Sequence, residues 1–285
     1  MKRDFRDFVL SDEFRNILNA KELNRLDIAF IGFYGSRNYG ISSDGSDYDF
    51  FAAYYPEFKD FFNHKFERFS ELTERYDYFI TPVHDYVHHA MRGNVKFIEP
   101  LMCSSIFFIE KDEEGKINIT DFSKRRLKYF NLLKNYILNN YEINFNAAIG
   151  LSNNKKLNIV QNRYTSATLC YKEIYDFDIK EAINSFRTMY LIENYVKNRN
   201  FDFMVKDNYV YKDFEAFLTG IKNKKISKED FLIRYEEKMS GLLKLKDEVK
   251  FRSLEAKSIL LSLKEQIKES LIEECKYFAC GYKPE

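Results

Sequence analysis

Two acidic residues, Asp47 and Asp49, stand one residue apart between two apolar segments of the chain. The first segment, residues 28–34, is short and uninterrupted, as in a strand that is buried on both faces, and the second spans residues 50–55. On a strand, residues i and i+2 point to the same face, so the two carboxylates are expected to converge. Because like charges held that close repel each other, the pair predicts a site for a divalent cation.

A Gly-Ser pair, Gly35 and Ser36, breaks the first apolar segment upstream of the two carboxylates. Glycine lets the backbone approach a ligand without a side chain in the way, and backbone N–H groups at such a turn can face an anion. The chain has no GxxxxGK[ST] motif and no GxGxxG that opens a helix, which argues against kinase and dinucleotide-binding functions. The predicted strand, the Gly-Ser turn that could bind phosphate and the paired carboxylates together predict a site for Mg²⁺ and a nucleotide.

The string Gly35-Ser36-Arg37-Asn38-Tyr39-Gly40, followed by Ser46-Asp47-Tyr48-Asp49, resembles the signature of the DNA polymerase β-type nucleotidyltransferases. It is similar to the bacterial and phage branch associated with RNA-repair ligases, which carries GSR-x-YG followed by SDYD. The resemblance covers residues 28–105 and implies an α+β fold, with a polymerase β-like core in which helices flank a small, mixed, twisted sheet, followed by an α-helical domain. Residues 41–45 depart from the usual apolar-Thr-Pro-Asp linker, a difference that concerns the rigidity of the loop and leaves the catalytic residues in place.

A third acidic residue, Asp77, is the only charge inside the segment from Tyr76 to Val83, whose aromatic and β-branched residues are typical of a strand. Burying an unpaired carboxylate is costly, so Asp77 needs a partner. The branch carries an acidic residue sixteen positions before a Gly-Asn pair, and Asp77 stands at that distance from Gly93-Asn94. The resemblance therefore implies that Asp77 is the third metal ligand. The alternatives are a solvent-facing Asp77, or Asp85 as the ligand, for which the N-cap of a helix is the simpler role.

The reaction that the resemblance implies is nucleotidyl transfer, in which an NMP moves from an NTP, with ATP favoured, to an acceptor hydroxyl. Two metal ions can stabilise the attacking and the leaving oxygen of such a displacement. Mg²⁺ and Mn²⁺ prefer oxygen ligands, so the catalytic carboxylates would hold them; these are Asp47, Asp49 and Asp77. Asp77 would also accept the proton of the attacking hydroxyl.

The nucleotide would be bound by four residues of the motif: Gly35, Ser36, Arg37 and Ser46. Ser36 and the amides after Gly35 are expected on the β- and γ-phosphates. Arg37 would add positive charge there, and its alternative partners are Asp44 and Asp47. Glu99 matches an acidic position of the branch and is expected to support the site structurally.

Apolar spacing predicts the other elements of the catalytic half. In chain order these are one or two amphipathic helices within residues 1–26, a helix over 57–74, two short helices over 85–102 that are broken at Gly93, a strand over 106–110 and a hairpin-like turn into 117–119.

Composition changes near residue 120, after which Gly and Pro are rare and the apolar spacing is helical almost throughout. The predicted helices are 121–140, 155–176, 179–199, 212–222, 227–239 and 241–278. The sequence therefore predicts a nucleotidyltransferase domain over residues 1–120 and a helical domain over residues 121–285 that closes the active-site cleft.

Overall composition limits the partners of the protein. With 45% apolar and 17% aromatic residues the chain supports a packed core, and a net charge of +1 means that any contact with a polynucleotide must be local. No apolar stretch approaches the roughly twenty residues of a membrane span. The N-terminus has no signal-peptide core, and the four cysteines form no CxxC pair. We therefore expect a cytoplasmic protein with no membrane partner.

Three basic clusters lie in the predicted helical domain: Lys124-Arg125-Arg126-Lys128, Lys155-Lys156 and Lys222-Lys224-Lys225. Each is a candidate border of a polynucleotide groove, although a solvated surface is the default for such clusters. Together with the RNA-repair resemblance they favour RNA, a tRNA or an RNA end, as the acceptor. The alternatives are nucleotidylation of a protein or small molecule, including a toxin–antitoxin role, and a non-catalytic module that binds nucleotide or RNA. The intact acidic residues argue against the last.

Overall fold

The computed structural model describes residues 2–20, 23, 26–40, 42, 46–63, 65–73, 75–103, 106–111, 117–120, 127–165, 168–203, 212–223 and 225–280. The chain divides into two compact units. The first comprises Met1–Met91, Lys96–Ile137 and Ser258–Glu285, and the second comprises Arg92–Val95 and Leu138–Lys257. None of the described helices is both long and apolar enough to cross a membrane.

The chain is of the mixed α+β class, as predicted. Its first part contains helices α1 (Lys2–Leu10) and α2 (Asp12–Ala20), strand β1 (Asp27–Tyr34), helix α3 (Gly35–Asn38), strand β2 (Tyr48–Tyr55), helix α4 (Phe58–Asn63), strands β3 (Phe69–Leu72) and β4 (Tyr76–Pro82), helices α5 (Val83–Met91) and α6 (Val95–Met102), and strands β5 (Ile106–Lys111) and β6 (Ile117–Thr120). Every element described after β6 is a helix: α7 (Leu127–Asn139), α8 (Tyr141–Val160), α9 (Cys170–Tyr175), α10 (Ile179–Asn198), α11 (Lys212–Lys222), α12 (Lys228–Leu243) and α13 (Lys246–Cys280).

The six strands form one mixed sheet in the order β3-β4-β2-β1-β5-β6. β2 and β4 run parallel, whereas the four other pairings of the described strands are antiparallel. The two central strands, β1 and β2, are buried along almost their whole length. This confirms the first apolar segment as a strand covered on both faces, and the second segment is a strand of the same kind.

The N-terminal helices cover one face of the sheet. Phe5 of α1 stacks on Phe33 with 4.1 Å between ring centroids, and Phe8 stacks on Tyr48 at the same distance. Phe14 of α2 packs edge-on against Phe50 at 5.5 Å. The amphipathic helices predicted within residues 1–26 are thus confirmed, and their apolar faces bury the side of the sheet that carries the even-numbered residues of β2.

Helices α5, α6 and α7 cover the opposite face. Phe51 of β2 contacts Tyr86 of α5 and Phe97 of α6, with centroid distances of 5.2 and 4.9 Å. Phe130 of α7 packs on Phe30 of β1 at 4.5 Å. Because α7 packs on the sheet, the first compact unit extends past residue 120, where composition placed the domain boundary, to residue 137.

Close packing of α6 against β1 depends on Gly32. A Cβ atom added to Gly32 would lie 2.3 Å from the carbonyl oxygen of Pro100 in α6, which is far inside van der Waals contact. The break between α5 and α6 lies at Gly93, as predicted, and Gly93 has a positive φ of 77°. The strands predicted at 106–110 and 117–119 are confirmed as β5 and β6.

The single helix predicted over residues 57–74 is wrong. The structure has the short helix α4 over Phe58–Asn63, and then the strand β3 over Phe69–Leu72, which pairs antiparallel with β4. The apolar residues of the segment fit a helical spacing, but in β3 alternate residues are more exposed, the pattern of a strand with one face against the sheet. Pairing with the edge of β4 outweighs local periodicity here.

The second unit is built around α8 and α10. Ser152 of α8 donates a hydrogen bond to the carbonyl oxygen of Ser185, and the Asn144 amide donates one to the Tyr195 hydroxyl, at 3.1 and 3.2 Å. The helix predicted over 155–176 is wrong: α8 ends at Val160, just before Asn162 adopts a left-handed φ of 51°, and α9 begins only at Cys170. Residues 141–154 contain several Asn and a Gly, which are weak helix formers, and their packing on α10 makes them helical.

Candidate active site

Three strands bring Tyr34, Asp49 and Asp77 into one row across the sheet. Tyr34 of β1 is the register partner of Asp49 in β2, and Asp49 is in turn the partner of Asp77 in β4. Register partners on strands about 4.8 Å apart point to the same face, so these side chains share one end of the sheet. Asp47 lies directly ahead of β2, two positions before Asp49, instead of within the strand. The three predicted carboxylates thus come from one end of the sheet.

Gly35 adjoins Asp49 directly. Its φ of 79° is in the left-handed region, and a Cβ atom added there would lie only 1.9 Å from Oδ2 of Asp49. The predicted Gly-Ser turn is the first turn of the short helix α3. The glycine was predicted as a point of close approach, and the structure shows that the group approaching it is the Asp49 carboxylate.

Glu99 of α6 holds this turn in place. The side chain is only 2% exposed, and its Oε1 accepts a hydrogen bond from the Gly35 N–H at 2.9 Å and one from the Asn38 side-chain amide at 3.4 Å. The predicted structural support by Glu99 is therefore confirmed. Since the Gly35 N–H is bonded to Glu99, the predicted phosphate contacts depend on Ser36 and the amides after Gly35.

Arg37 is directed at the loop that leads into β2. Its Nε donates to the carbonyl oxygens of Asp47 and Ser46 at 3.0 and 3.2 Å, and its guanidinium carbon lies 4.1 Å from the ring centroid of Tyr48. Phe8 stacks on the same Tyr48 ring. Arg37 therefore fixes the main chain next to Asp47. Its binding of phosphate, like that of Ser46, stays a prediction. Of its two alternative partners, Asp47 accepts at its main-chain oxygen, and Asp44 lies outside the described residues.

Tyr34 is a member of the site that sequence reasoning missed. Burial raises the pKa of its hydroxyl above the ordinary value, and the negative charges of Asp77, Asp49, Glu99 and Asp47 raise this pKa further. The hydroxyl therefore keeps its proton and donates it in a hydrogen bond to Asp77. Its place at the end of a strand was visible in the sequence. The register that sets it beside Asp49 was not, because register depends on the pairing of distant strands.

Asp77 is perturbed by its neighbours in the same site. Burial raises the pKa of its carboxyl, the positive charge of Lys96 lowers it, the negative charge of Asp47 raises it, and the hydrogen bond from Tyr34 lowers it, with a net rise. The ammonium group of Lys96 lies 4.6 Å from the ring centroid of Phe79, two residues along β4 from Asp77. A cation on α6 thus lies beside the carboxylates, a feature that the sequence did not indicate.

The donor set of this site suits a hard divalent cation. Three carboxylates, Asp47, Asp49 and Asp77, come from one end of the sheet, and the space where Gly35 lacks a side chain admits the Asp49 carboxylate. Among the described residues, no three His, Cys, Asp or Glu side chains are grouped as ligands of a single ion. Asp47, Asp49 and Asp77 are therefore not gathered around one ion in this structure; they are the residues that would hold Mg²⁺ or Mn²⁺, and their sharing of a cation stays a prediction.

Other candidates from the sequence have local partners. Asp85 lies in the first turn of α5 and pairs with Arg68 at 2.7 Å, so the prediction of an N-cap at Asp85 is wrong. In the second basic cluster, Lys155 pairs with Glu181 at 2.6 Å and Lys156 pairs with Glu236. Residues 124–126 of the first cluster and Lys224 of the third lie outside the described residues.

Comparison with known proteins gives no further assignment. The chain matches no model of a protein family, and a search of curated proteins finds no match. The resemblance to nucleotidyltransferases therefore rests on the Gly-Ser and Asp-x-Asp motifs of this sequence, and it stays a prediction.

Proposed function

We propose that the chain is a metal-dependent nucleotidyltransferase with a polymerase β-like core, which moves an NMP from an NTP to a hydroxyl group of RNA. The observation that carries the proposal is the register pairing of Asp49 with Asp77 on two parallel strands, with Asp47 just ahead of the first strand. Gly35 supports it, because its missing side chain leaves room for the carboxylate of Asp49.

The transfer step follows from the residues of this site. The acceptor oxygen forms a bond to the α-phosphorus while the bond from that phosphorus to the bridging oxygen breaks, and pyrophosphate leaves with the electron pair. Asp77 accepts the proton of the acceptor hydroxyl and releases it to solvent. Ser36 binds the β- and γ-phosphates, which leave as pyrophosphate. Mg²⁺ or Mn²⁺, when bound, neutralises charge on the phosphates.

RNA is the proposed acceptor because the motif is similar to that of the branch associated with RNA-repair ligases. The overall charge of +1 allows only a local contact with RNA. Since Lys155 and Lys156 are engaged by Glu181 and Glu236, we assign no RNA contact to that cluster.

A labelling experiment tests the proposal. The protein is incubated with each of the four α-labelled NTPs, Mg²⁺ and bulk RNA, and the label on RNA and on protein is measured separately. We expect transfer to RNA by the wild type and a loss of at least about a hundredfold in Asp49→Asn. Asp85→Asn is the matched control, because Asp85 is a half-buried carboxylate of the same unit that pairs with Arg68; it should retain transfer.

Three results would contradict this proposal. Equal labelling by the wild type and Asp49→Asn would exclude the carboxylate mechanism. If the label appeared on the protein and did not require RNA, the acceptor would be a protein and not RNA. Mg²⁺-dependent NTP binding with no transfer to any acceptor would favour a non-catalytic module.

A further inference from the structure

We propose that Tyr34 is a positioning residue of this site, whose hydroxyl holds one carboxylate oxygen of Asp77 and thereby directs the other towards the bound cation. This inference rests on the proposed function. It concerns Tyr34 alone, a residue that is no part of the Gly-Ser or Asp-x-Asp motif.

The position of Tyr34 follows from the sheet. Tyr34 and Asp77 are both in register with Asp49, one on each side of it, so two strand spacings of about 4.8 Å separate them. All three side chains point to the same face, and a tyrosine is long enough to reach across the middle strand. The hydroxyl of Tyr34 accordingly meets the carboxylate of Asp77 over Asp49.

The surroundings of the hydroxyl make this contact selective. The negative charges of four carboxylates act on Tyr34, but its hydroxyl has a single proton to donate, and the hydrogen bond it makes is to Asp77. The next residue, Gly35, donates its N–H to Glu99. Tyr34, the last residue of β1, and Gly35, the first residue of α3, therefore each donate a hydrogen bond to a different acid.

Groups that orient metal ligands affect affinity even though they do not touch the metal. Loss of such an outer partner typically costs about 10- to 100-fold in metal affinity or activity. Without the hydroxyl of Tyr34, the carboxyl group of Asp77 can rotate, and a cation that needs one of its oxygens in a fixed direction binds less tightly. The effect should therefore be visible in binding, without turnover.

Binding of Mn²⁺ to the full chain, measured by electron paramagnetic resonance of the free ion, tests the inference. The variants are Tyr34→Phe, Asp77→Asn, their combination, and Asp49→Asn. Tyr54→Phe is the matched control, because Tyr54 is also buried in the sheet and its hydroxyl donates to the main-chain oxygen of Glu67 at 2.9 Å, at the other end of β2. Thermal unfolding of each variant establishes that it folds.

We expect Tyr34→Phe to weaken Mn²⁺ binding by roughly tenfold or more, and Tyr54→Phe to leave it unchanged. In the Asp77→Asn background, Tyr34→Phe should have no further effect, since the two residues act as one unit. The inference would be overturned if Tyr34→Phe left the Mn²⁺ affinity unchanged, or if it lowered this affinity equally with Asp77 present and with Asp77→Asn. If Mn²⁺ binding still depended on Asp49 in that case, the proposed function would stand. Absence of Mn²⁺ binding in the wild type would overturn both.

Discussion

Gly35 is tied to its position by two separate constraints. Its positive φ is a conformation that other residues adopt only at a cost, and any side chain there would overlap Oδ2 of Asp49. The first constraint concerns the stability of the fold, and the second concerns the placement of Asp49, a proposed metal ligand. A substitution at Gly35 should therefore affect both.

We predict that Gly35→Ala lowers the free energy of unfolding by at least about 1 kcal/mol and abolishes nucleotidyl transfer, because Asp49 must move away from the new methyl group. Gly150→Ala is the matched control: Gly150 lies within α8, and nothing lies within 4 Å of an added Cβ. It should stabilise the protein by about 0.5–1 kcal/mol and leave transfer unchanged. Denaturant unfolding and the labelling assay measure the two effects; full activity in Gly35→Ala would contradict the role given to this residue.

At the residue scale, the sequence was a better guide to which residues lie at the candidate site than to the contacts that these residues make. Gly35 and the acidic residues were singled out because each has a residue type that the proposed chemistry requires, and the structure places them at one end of the sheet. Arg37 was predicted on phosphate, with Asp44 and Asp47 as alternative partners, and the phosphate contact stays a prediction. Its guanidinium meets the main-chain oxygens of Ser46 and Asp47, contacts that depend on how the loop folds back. Tyr34 was missed because an aromatic residue at a strand end is ordinary until the register is known.

At the scale of elements, helix α6 couples the sheet to the Gly-Ser turn. Pro100 packs on Gly32, and Glu99 accepts the hydrogen bond from Gly35, so one turn of α6 fixes the end of β1 and the start of α3. The turn is held from the side opposite to the N-terminal helices. Its geometry therefore depends on a buried acceptor in α6.

We predict that Glu99→Ala destabilises the protein by about 1–3 kcal/mol, because the Gly35 N–H and the buried Asn38 amide lose their acceptor. Transfer should fall as the turn loses its support. Glu99→Gln keeps an oxygen acceptor of the same shape and should retain most of the stability. Urea unfolding of the wild type, Glu99→Ala and Glu99→Gln measures these stabilities. Equal stability of the two variants would show that the acceptor at position 99 does not support the turn.

The errors at the element scale share one physical cause. The segment 57–74 and the start of α8 were judged by local spacing and propensity, while their structure depends on distant partners: β4 for β3, and α10 for α8. Where a segment has strong local signals, as in α1, α2 and β1, prediction and structure agree. In segment 57–74 and at the start of α8, tertiary pairing outweighs the weak local preference.

At the scale of the whole molecule, the net charge of +1 conceals an uneven distribution of charge. Several carboxylates meet at one end of the sheet. Burial and Asp47 raise the pKa of Asp77, so the folded protein binds this proton more tightly than the unfolded chain does. Ionisation of Asp77 therefore lowers the free energy of unfolding. This loss of stability is absent at a pH below the pKa of Asp77 in the unfolded chain, and it is complete at a pH above the pKa of Asp77 in the folded protein. A cation bound at the site would offset the loss at neutral pH.

The most direct test of the shared cation site is the thermal unfolding of the wild type and Asp49→Asn at pH 7, in EDTA and in increasing Mg²⁺. We predict that Mg²⁺ stabilises the wild type progressively, by about 2.7 kcal/mol at a hundred times its dissociation constant. Asp49→Asn, which removes one of the repelling charges, should unfold at the wild-type temperature or higher in EDTA and gain little from Mg²⁺. Equal stabilisation of both proteins by Mg²⁺, or of neither, would contradict the proposal that these carboxylates share a divalent cation.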